Sequence, residues 1–289
     1  MSNPFLTIDK RFGFTPLPNA NKPIFVLSTI WRSGSTLLQR TLCTDHDILI
    51  WGEPYADCNL FASLARSAIA LAQPNWPRAG HFAMGLPHVF DNPEEHFIAN
   101  LYPPMHNFRA GHRAMLDNTF SVPARDRGRE RFGIKFVRLS LEEAQYLEWM
   151  YPDARFIFLV RNPWDCWRSY KGYNWKYRWP KQIITKVSQF AMLWQKQTSE
   201  LLQFTGSNHM WLRYEDFLQP DFDWDRLRDF CELPNISKKA LEQRITGVRE
   251  KPLPVDPPDV ATVNKICGPL ANQLGYSGLK ETDLQFRWA

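Results

Sequence analysis

The chain has 289 residues, 44% of them apolar and 14% aromatic, enough for a packed core, and no stretch has the composition of a disordered segment. Its net charge of +5 comes from dispersed basic residues, a pattern that suits a small anionic ligand better than a nucleic-acid track. The five cysteines, Cys43, Cys58, Cys166, Cys231 and Cys267, form no CxxC pair and no metal-ligand spacing, which favours reduced thiols over a disulfide or zinc framework.

The segment Met1–Pro16 mixes charged residues with Pro and Gly and lacks the apolar core of a signal peptide. The longest plainly apolar runs, such as Phe156–Val160, are strand-sized. A soluble, cytoplasmic protein with no membrane partner is expected.

The first strand is predicted at Ile24–Ser28, followed by a short polar loop and a helix over Ser35–Cys43. A strand at Ile48–Trp51 precedes an amphipathic stretch, Asn59–Ala72, in which Leu60, Leu64, Ile69 and Leu71 follow a helical face. Residues Gln73–Pro104, rich in Pro, His and aromatics, read as an irregular excursion with one short helix. Further on come a strand at Phe132–Val137, a helix at Leu141–Met150 and a buried strand at Arg155–Val160. Pro163 then opens a helix with Asn162 as its N-cap. A long helix over Ile183–Phe204, a strand at His209–Arg213, a helix at Trp224–Phe230, a Pro-rich stretch at Pro252–Pro258 and a helix near Ala261–Leu274 complete the series. Strands alternating with helices predict one α/β domain with a central parallel sheet flanked by helices.

Two segments carry chemistry. In Ile24-Phe-Val-Leu-Ser-Thr-Ile-Trp-Arg-Ser-Gly-Ser-Thr-Leu-Leu38 an apolar strand runs into small and hydroxylated residues that open a helix. Such a turn directs backbone N–H groups and the positive end of a helix at one point, an anion site. Laid over the nucleotide triphosphatase loop, Ser35 takes the place of the lysine, and the strong cation is Arg32, ahead of Gly34. In Arg155-Phe-Ile-Phe-Leu-Val-Arg-Asn-Pro-Trp-Asp-Cys-Trp-Arg-Ser-Tyr170 a second buried strand ends in Arg161, and Ser169 lies eight residues on. The planar fork of an arginine suits a phosphate.

Together these segments resemble the sulfotransferase family that uses 3′-phosphoadenosine 5′-phosphosulfate (PAPS). The first is similar to its 5′-phosphosulfate loop, the second to its 3′-phosphate motif. Trp51-Gly-Glu-Pro54, Lys135, Trp211-Leu-Arg-Tyr-Glu-Asp216 and Ile266–Tyr276 resemble further parts of the branch that contains the tyrosylprotein and bacterial small-molecule enzymes. The resemblance implies a P-loop-like three-layer fold forming one domain over residues 1–289. Residues 22–60 would bind the phosphosulfate, residues 73–130 would form an acceptor-site excursion, and residues 130–276 would supply the 3′-phosphate part and closing helices. It implies cofactor contacts from Arg32, Ser33, Gly34, Ser35, Thr36, Arg161, Ser169 and Tyr214. Arg32, Glu53 as general base and Lys135 at the sulfuryl oxygens would carry the reaction, without a metal.

The same residues leave alternatives open. Glu53 reads also as a carboxylate near a helix opened by Pro54, Lys135 as an ordinary strand lysine, and Tyr214 as a core residue. A histidine among His81, His88, His96, His106 and His112 is the other candidate base. The aromatics Tyr170, Tyr173, Trp175, Tyr177 and Trp179, interleaved with Lys171, Lys176 and Arg178, suit a packed wall or a clamp on a ring. The rival functions are a P-loop kinase or NTPase and a non-catalytic anion- or nucleic-acid-binding module. A small-molecule acceptor is expected, such as a natural product of the guanidinium-alkaloid type; the oligomeric state is not legible.

Overall fold

Five apolar runs pair in parallel into one sheet of order β2-β3-β1-β4-β5. They are β1 (Ile24–Ser28), β2 (Ile48–Gly52), β3 (Arg131–Phe136), β4 (Arg155–Val160) and β5 (His209–Arg213). This computed structural model describes residues 3–15, 17, 21–55, 58–73, 91–95, 103, 105–172, 183–243 and 256–276. The longer described helices are α1 (Pro4–Phe12), α2 (Ser35–Leu42), α3 (Leu60–Ile69), α4 (Met105–Leu116), α5 (Leu141–Met150), α6 (Pro163–Lys171), α7 (Val187–Leu201), α8 (Trp224–Cys231) and α9 (Pro257–Gln273).

Side chains alternate across the sheet, so each strand feeds two cores. Phe25, Leu27, Phe132, Ile134, Phe136, Phe156 and Phe158 join α1, α3, α4 and α5 on one face. Ile24, Val26, Ile48, Ile50, Ile157 and Leu159 join α2 and α8 on the other. A third cluster gathers α6, α7 and α9 around Trp164, Trp194 and Cys267. Burial on both faces is what a parallel sheet requires, and it explains why β1 reads as an unbroken apolar run. The fold is thus the expected P-loop-like α/β arrangement, with helices on both faces of a central parallel sheet.

Several boundaries shift for local reasons. The helix expected over Ile183–Phe204 is α7, which starts only at Val187 because Lys186 is extended and the Gln189 side chain accepts from the N–H groups of Thr185 and Lys186. The closing helix α9 begins at Pro257, since proline fits the first helical turn. The amphipathic stretch from Asn59 ends as α3 at Ile69 and tightens into a 3₁₀ turn, Ala70–Ala72. Helix α4, which has no counterpart in the sequence reading, continues through a π-helical turn, Asp117–Ser121, into a single turn, Val122–Arg125. Most of the excursion expected at Gln73–Pro104 lies outside the described residues. Among the described residues no helix is long and apolar enough to cross a membrane.

Helix α1 is another element that the sequence reading lacked. Asn3 accepts from the Phe5 N–H, Pro4 occupies the first turn, and Gly13 closes the helix at φ +65°. Its buried face, Phe5, Ile8 and Phe12, packs against α5, with Phe5 stacked on Trp149 at 5.3 Å. The Trp149 indole donates to Asp9 (2.5 Å), and Arg109 lies over Trp149 while donating to the carbonyls of Trp149 and Thr15. Phe5→Ala should therefore lower unfolding stability by about 3–5 kcal/mol, the cost of a core cavity. Denaturant titration checks this, and a loss below about 1 kcal/mol would show α1 to be a loose appendage.

Candidate functional site

All five strands end at one edge, and the chain leaves β1 and β4 in opposite directions. That makes the crevice between them the switch point at which such sheets bind ligands. Along this edge the strands deliver Glu53 after β2, Lys135 and Arg138 from β3, residues 29–36 after β1, Arg161 after β4, and Arg213 and Tyr214 at β5.

The loop after β1 is held by short bonds. Ser33 and Ser28 hydroxyls meet in a close hydrogen bond, Ser28 donates to the Ile30 carbonyl (3.0 Å), and the Thr29 N–H donates to Leu159 on β4 (3.1 Å). Arg32 and Gly34 both take left-handed backbone conformations, at φ +68° and +88°. For arginine this costs on the order of 1 kcal/mol. At Gly34 only glycine fits, because a Cβ would lie 2.1 Å from the Tyr214 ring. Gly34 caps α2 without any side-chain hydrogen bond, so the first amides of the helix have no capping oxygen. Ser35 and Thr36 form the first turn, Ser35 buried and Thr36 exposed.

Arg161 stabilises the strained loop by donating from its terminal nitrogen to the Arg32 carbonyl (2.8 Å). Its guanidinium lies over Tyr214 at 4.5 Å, while its Nε is buried without a partner. Burial disfavours its charge, yet the polar and acidic groups around it, Asp165 and Glu215 included, keep its pKa above the ordinary value. The Asn162 side chain caps α6 by accepting from the N–H groups of Trp164 and Asp165. That helix carries Ser169 to the Arg32 side chain, whose Nε donates to the serine hydroxyl at 3.1 Å. Arg32, Arg161, Ser169, Gly34 and Tyr214 are thus brought together from three separate segments.

One support, Glu215, was missed as a site residue. Glu215 accepts from the Asn162 N–H (3.0 Å) and from the Tyr276 hydroxyl (2.9 Å), and burial pushes its carboxyl above the usual carboxylate range. A carboxylate directly after a strand-end tyrosine was the available signal; its partners, 53 and 61 residues away, were not readable.

At the β2 end Glu53 takes φ +32°, its N–H donates to the Lys135 carbonyl (2.9 Å), and its Oε1 accepts from the Lys135 ammonium at 2.5 Å. Arg138 stands 3.9 Å from the other oxygen, Oε2. Lys135 is 7% exposed and Glu53 30%, so of the pair the carboxylate is the more open to solvent. Pro54 and Tyr55 form a turn, and the next described helix begins at Leu60, so Glu53 does not belong to a helix opened by Pro54.

Of the histidines, His81, His88 and His96 lie outside the described residues. His112 bonds to the Tyr146 hydroxyl (3.0 Å) and packs on Phe108, with burial holding its pKa below the ordinary value. Those partners belong to α4 and α5, away from the strand ends. Tyr170 is a packing residue, buried, with its hydroxyl on the Ile184 carbonyl and its ring against Trp31, Trp167 and Phe190. Lys171 pairs with Asp256 and Asp259, tying α6 to the start of α9. Tyr173, Trp175, Lys176, Tyr177, Arg178 and Trp179 lie outside the described residues. No group of three or more His, Cys, Asp or Glu that could hold a metal is found among the described residues.

No curated protein matches the chain. Solved structures do. The sulfotransferase domain of the curacin biosynthetic pathway is 16% identical, with 91% of this chain and 99% of that one covered and a TM-score of 0.46. The sulfotransferase domain of the Synechococcus PCC 7002 olefin synthase gives 15%, 91%, 99% and 0.44. A sugar kinase from Janibacter sp. gives 13%, 74%, 96% and 0.38. At these scores the likenesses decide nothing between transferase and kinase. The family model described as "Sulfotransferase family" matches residues 23–237, a span that contains both strand-end loops, Glu53, Lys135 and Tyr214. On that match the chain belongs to the sulfotransferase family.

Proposed function

We propose that this protein transfers a sulfuryl group from PAPS to a hydroxyl or amine of a small-molecule acceptor, by in-line displacement, without metal, nucleic acid or membrane. The observation that carries the reading is the convergence of Arg32, Arg161 and Ser169 beside the uncapped start of α2. The fit to a doubly phosphorylated nucleotide rests on the buried, partnerless Nε of Arg161 and on the close approach that Gly34 alone permits. PAPS supplies the sulfuryl group on its 5′-phosphate and leaves as 3′-phosphoadenosine 5′-phosphate.

In this reading Arg161 and Ser169 hold the 3′-phosphate, and the loop amides with Ser33, Ser35 and Thr36 hold the 5′ end. Tyr214 flanks the nucleotide from its place over Gly34 and Arg161. Arg32 rests on Ser169 and must turn its side chain to face the leaving phosphate, where a fixed cation offsets the developing charge. Lys135 neutralises sulfuryl oxygens. Glu53 accepts the acceptor's proton on Oε2 while Oε1 keeps its bond to Lys135. Ser35 in place of the phosphate-binding lysine weighs against a kinase.

Loss of the 3′-phosphate should weaken nucleotide binding by at least about ten- to a hundredfold, the cost of a single bond to a charged group at roughly 1.5–3 kcal/mol. Calorimetry with 3′-phosphoadenosine 5′-phosphate and adenosine 5′-phosphate measures this, and equal affinities would refute the assignment of Arg161 and Ser169. Turnover should persist in excess EDTA; a loss that Mg²⁺ restores would point back to a kinase. Glu53→Gln should reduce turnover by about 10²–10⁴ with nucleotide affinity unchanged. Near-normal turnover in that variant would place the base elsewhere.

A further inference from the structure

Both groups assigned to the 3′-phosphate depend on one peptide unit, the one that joins Arg161 to Asn162. Its carbonyl, on Arg161, accepts from the Trp194 indole of α7 at 3.1 Å, and its N–H, on Asn162, donates to the Glu215 carboxylate at 3.0 Å. The sheet register makes the second bond possible. Val160 stands opposite Arg213, so Asn162 and Glu215 each lie two residues beyond a paired position. Glu215 is steadied in turn: its other oxygen accepts from the hydroxyl of Tyr276 at 2.9 Å, a residue 3% exposed and just beyond α9. The peptide is thus gripped at both polar atoms, by partners 33 and 53 residues away.

Fixing this peptide fixes two side chains at once. On one side stands Arg161, whose guanidinium lies over Tyr214 and donates to the Arg32 carbonyl. On the other, Asn162 caps α6 by accepting from the N–H groups of Trp164 and Asp165. Ser169 follows about two helical turns later, so it returns to the face on which Asn162 opens the helix. A rotation of the peptide would therefore displace Arg161 and the start of the helix that carries Ser169 together. Groups that bind a ligand hold their geometry only when bonds behind them lock it.

Resting on the reading that Arg161 and Ser169 hold the 3′-phosphate, we propose that Trp194, Glu215 and Tyr276 are positioning residues that set the preference for a 3′-phosphorylated nucleotide. Trp194 and Glu215 act on the Arg161–Asn162 peptide directly, and Tyr276 acts through Glu215. None of them has to touch the nucleotide to do so.

The readout is the ratio of the dissociation constants of adenosine 5′-phosphate and 3′-phosphoadenosine 5′-phosphate, measured by calorimetry, which isolates the 3′-phosphate from the rest of the nucleotide. Tyr276→Phe removes only a hydroxyl and keeps the ring beneath Arg213. It should lower the ratio about three- to tenfold, the worth of one hydrogen bond, with the affinity for adenosine 5′-phosphate unchanged. Trp194→Phe, which loses the indole N–H, should do the same; if that variant does not fold, Tyr276→Phe decides alone. Glu215→Gln should keep the ratio, because an amide can accept from the Asn162 N–H and donate to the Tyr276 hydroxyl oxygen. A merely structural role would lower the melting temperature, or weaken both nucleotides alike, and leave the ratio where it was. That result in Tyr276→Phe overturns the proposal, as does loss of the preference in Glu215→Gln. A wild-type ratio near one overturns the 3′-phosphate assignment itself, and the proposal with it.

Discussion

The hydrogen bond from the Arg161 guanidinium to the Arg32 carbonyl ties the ends of β4 and β1 into one binding surface. It rests on parallel pairing of those strands, from Ile24 opposite Arg155 to Ser28 opposite Leu159, which brings both carboxyl ends to the same level. The left-handed backbone of Arg32 needs such an external partner, because its own sterics disfavour it. The Tyr214 ring completes the frame, lying over Arg161 on one side and excluding any side chain at Gly34 on the other. Three strand ends therefore share the strain of one loop, and the loop in turn sets where the first amides of α2 point.

Two carboxylates sit at this edge in opposite circumstances. Glu215 is enclosed, takes a hydrogen bond from a backbone amide and another from Tyr276, and has its proton affinity raised by burial. Both of its oxygens are committed, to the Asn162 N–H and to the Tyr276 hydroxyl just beyond α9, so it is a support. Glu53 is nearly a third exposed and keeps one oxygen beyond hydrogen-bond reach of Arg138. An oxygen in that state can take up a proton from an incoming group, which suits the base assigned to it.

Stability and chemistry draw on different parts of the molecule. The clusters beneath α1, α4 and α5 and beneath α2 and α8 hold the sheet between two helical layers. Of the five described non-glycine residues with left-handed backbone, Arg32, Glu53, Tyr55 and Asn59 follow β1 or β2, and only Glu232, which ends α8, does not. A rigid sheet with strained loops at one edge is the physical arrangement by which such folds hold a ligand without deforming their cores.

What the sequence alone determined is what local physics controls. The unbroken apolar runs Phe156–Val160 and Ile24–Ser28 marked buried strands, and Asn162-Pro163 marked the start of α6. Arg161 directly after β4, and Arg32 and Gly34 in the loop after β1, raised the expectation of an anion site, because a strand-to-helix turn aims backbone amides at one point. Tertiary structure alone decided how these pieces meet. The Lys135–Glu53 pair spans 82 residues and the Arg161–Arg32 bond 129, and no periodicity reports contacts at such separations. Helix α1 escaped notice for the same reason. Its apolar face is only three residues, Phe5, Ile8 and Phe12, and it becomes a core element only because Tyr146 and Trp149 on α5 receive it. The turn from Gly52 to Tyr55 is stranger still to its own sequence: its shape comes from a π-helical turn more than sixty residues away, and burial of Phe120 against Phe61 and Phe132 is what holds that turn in position.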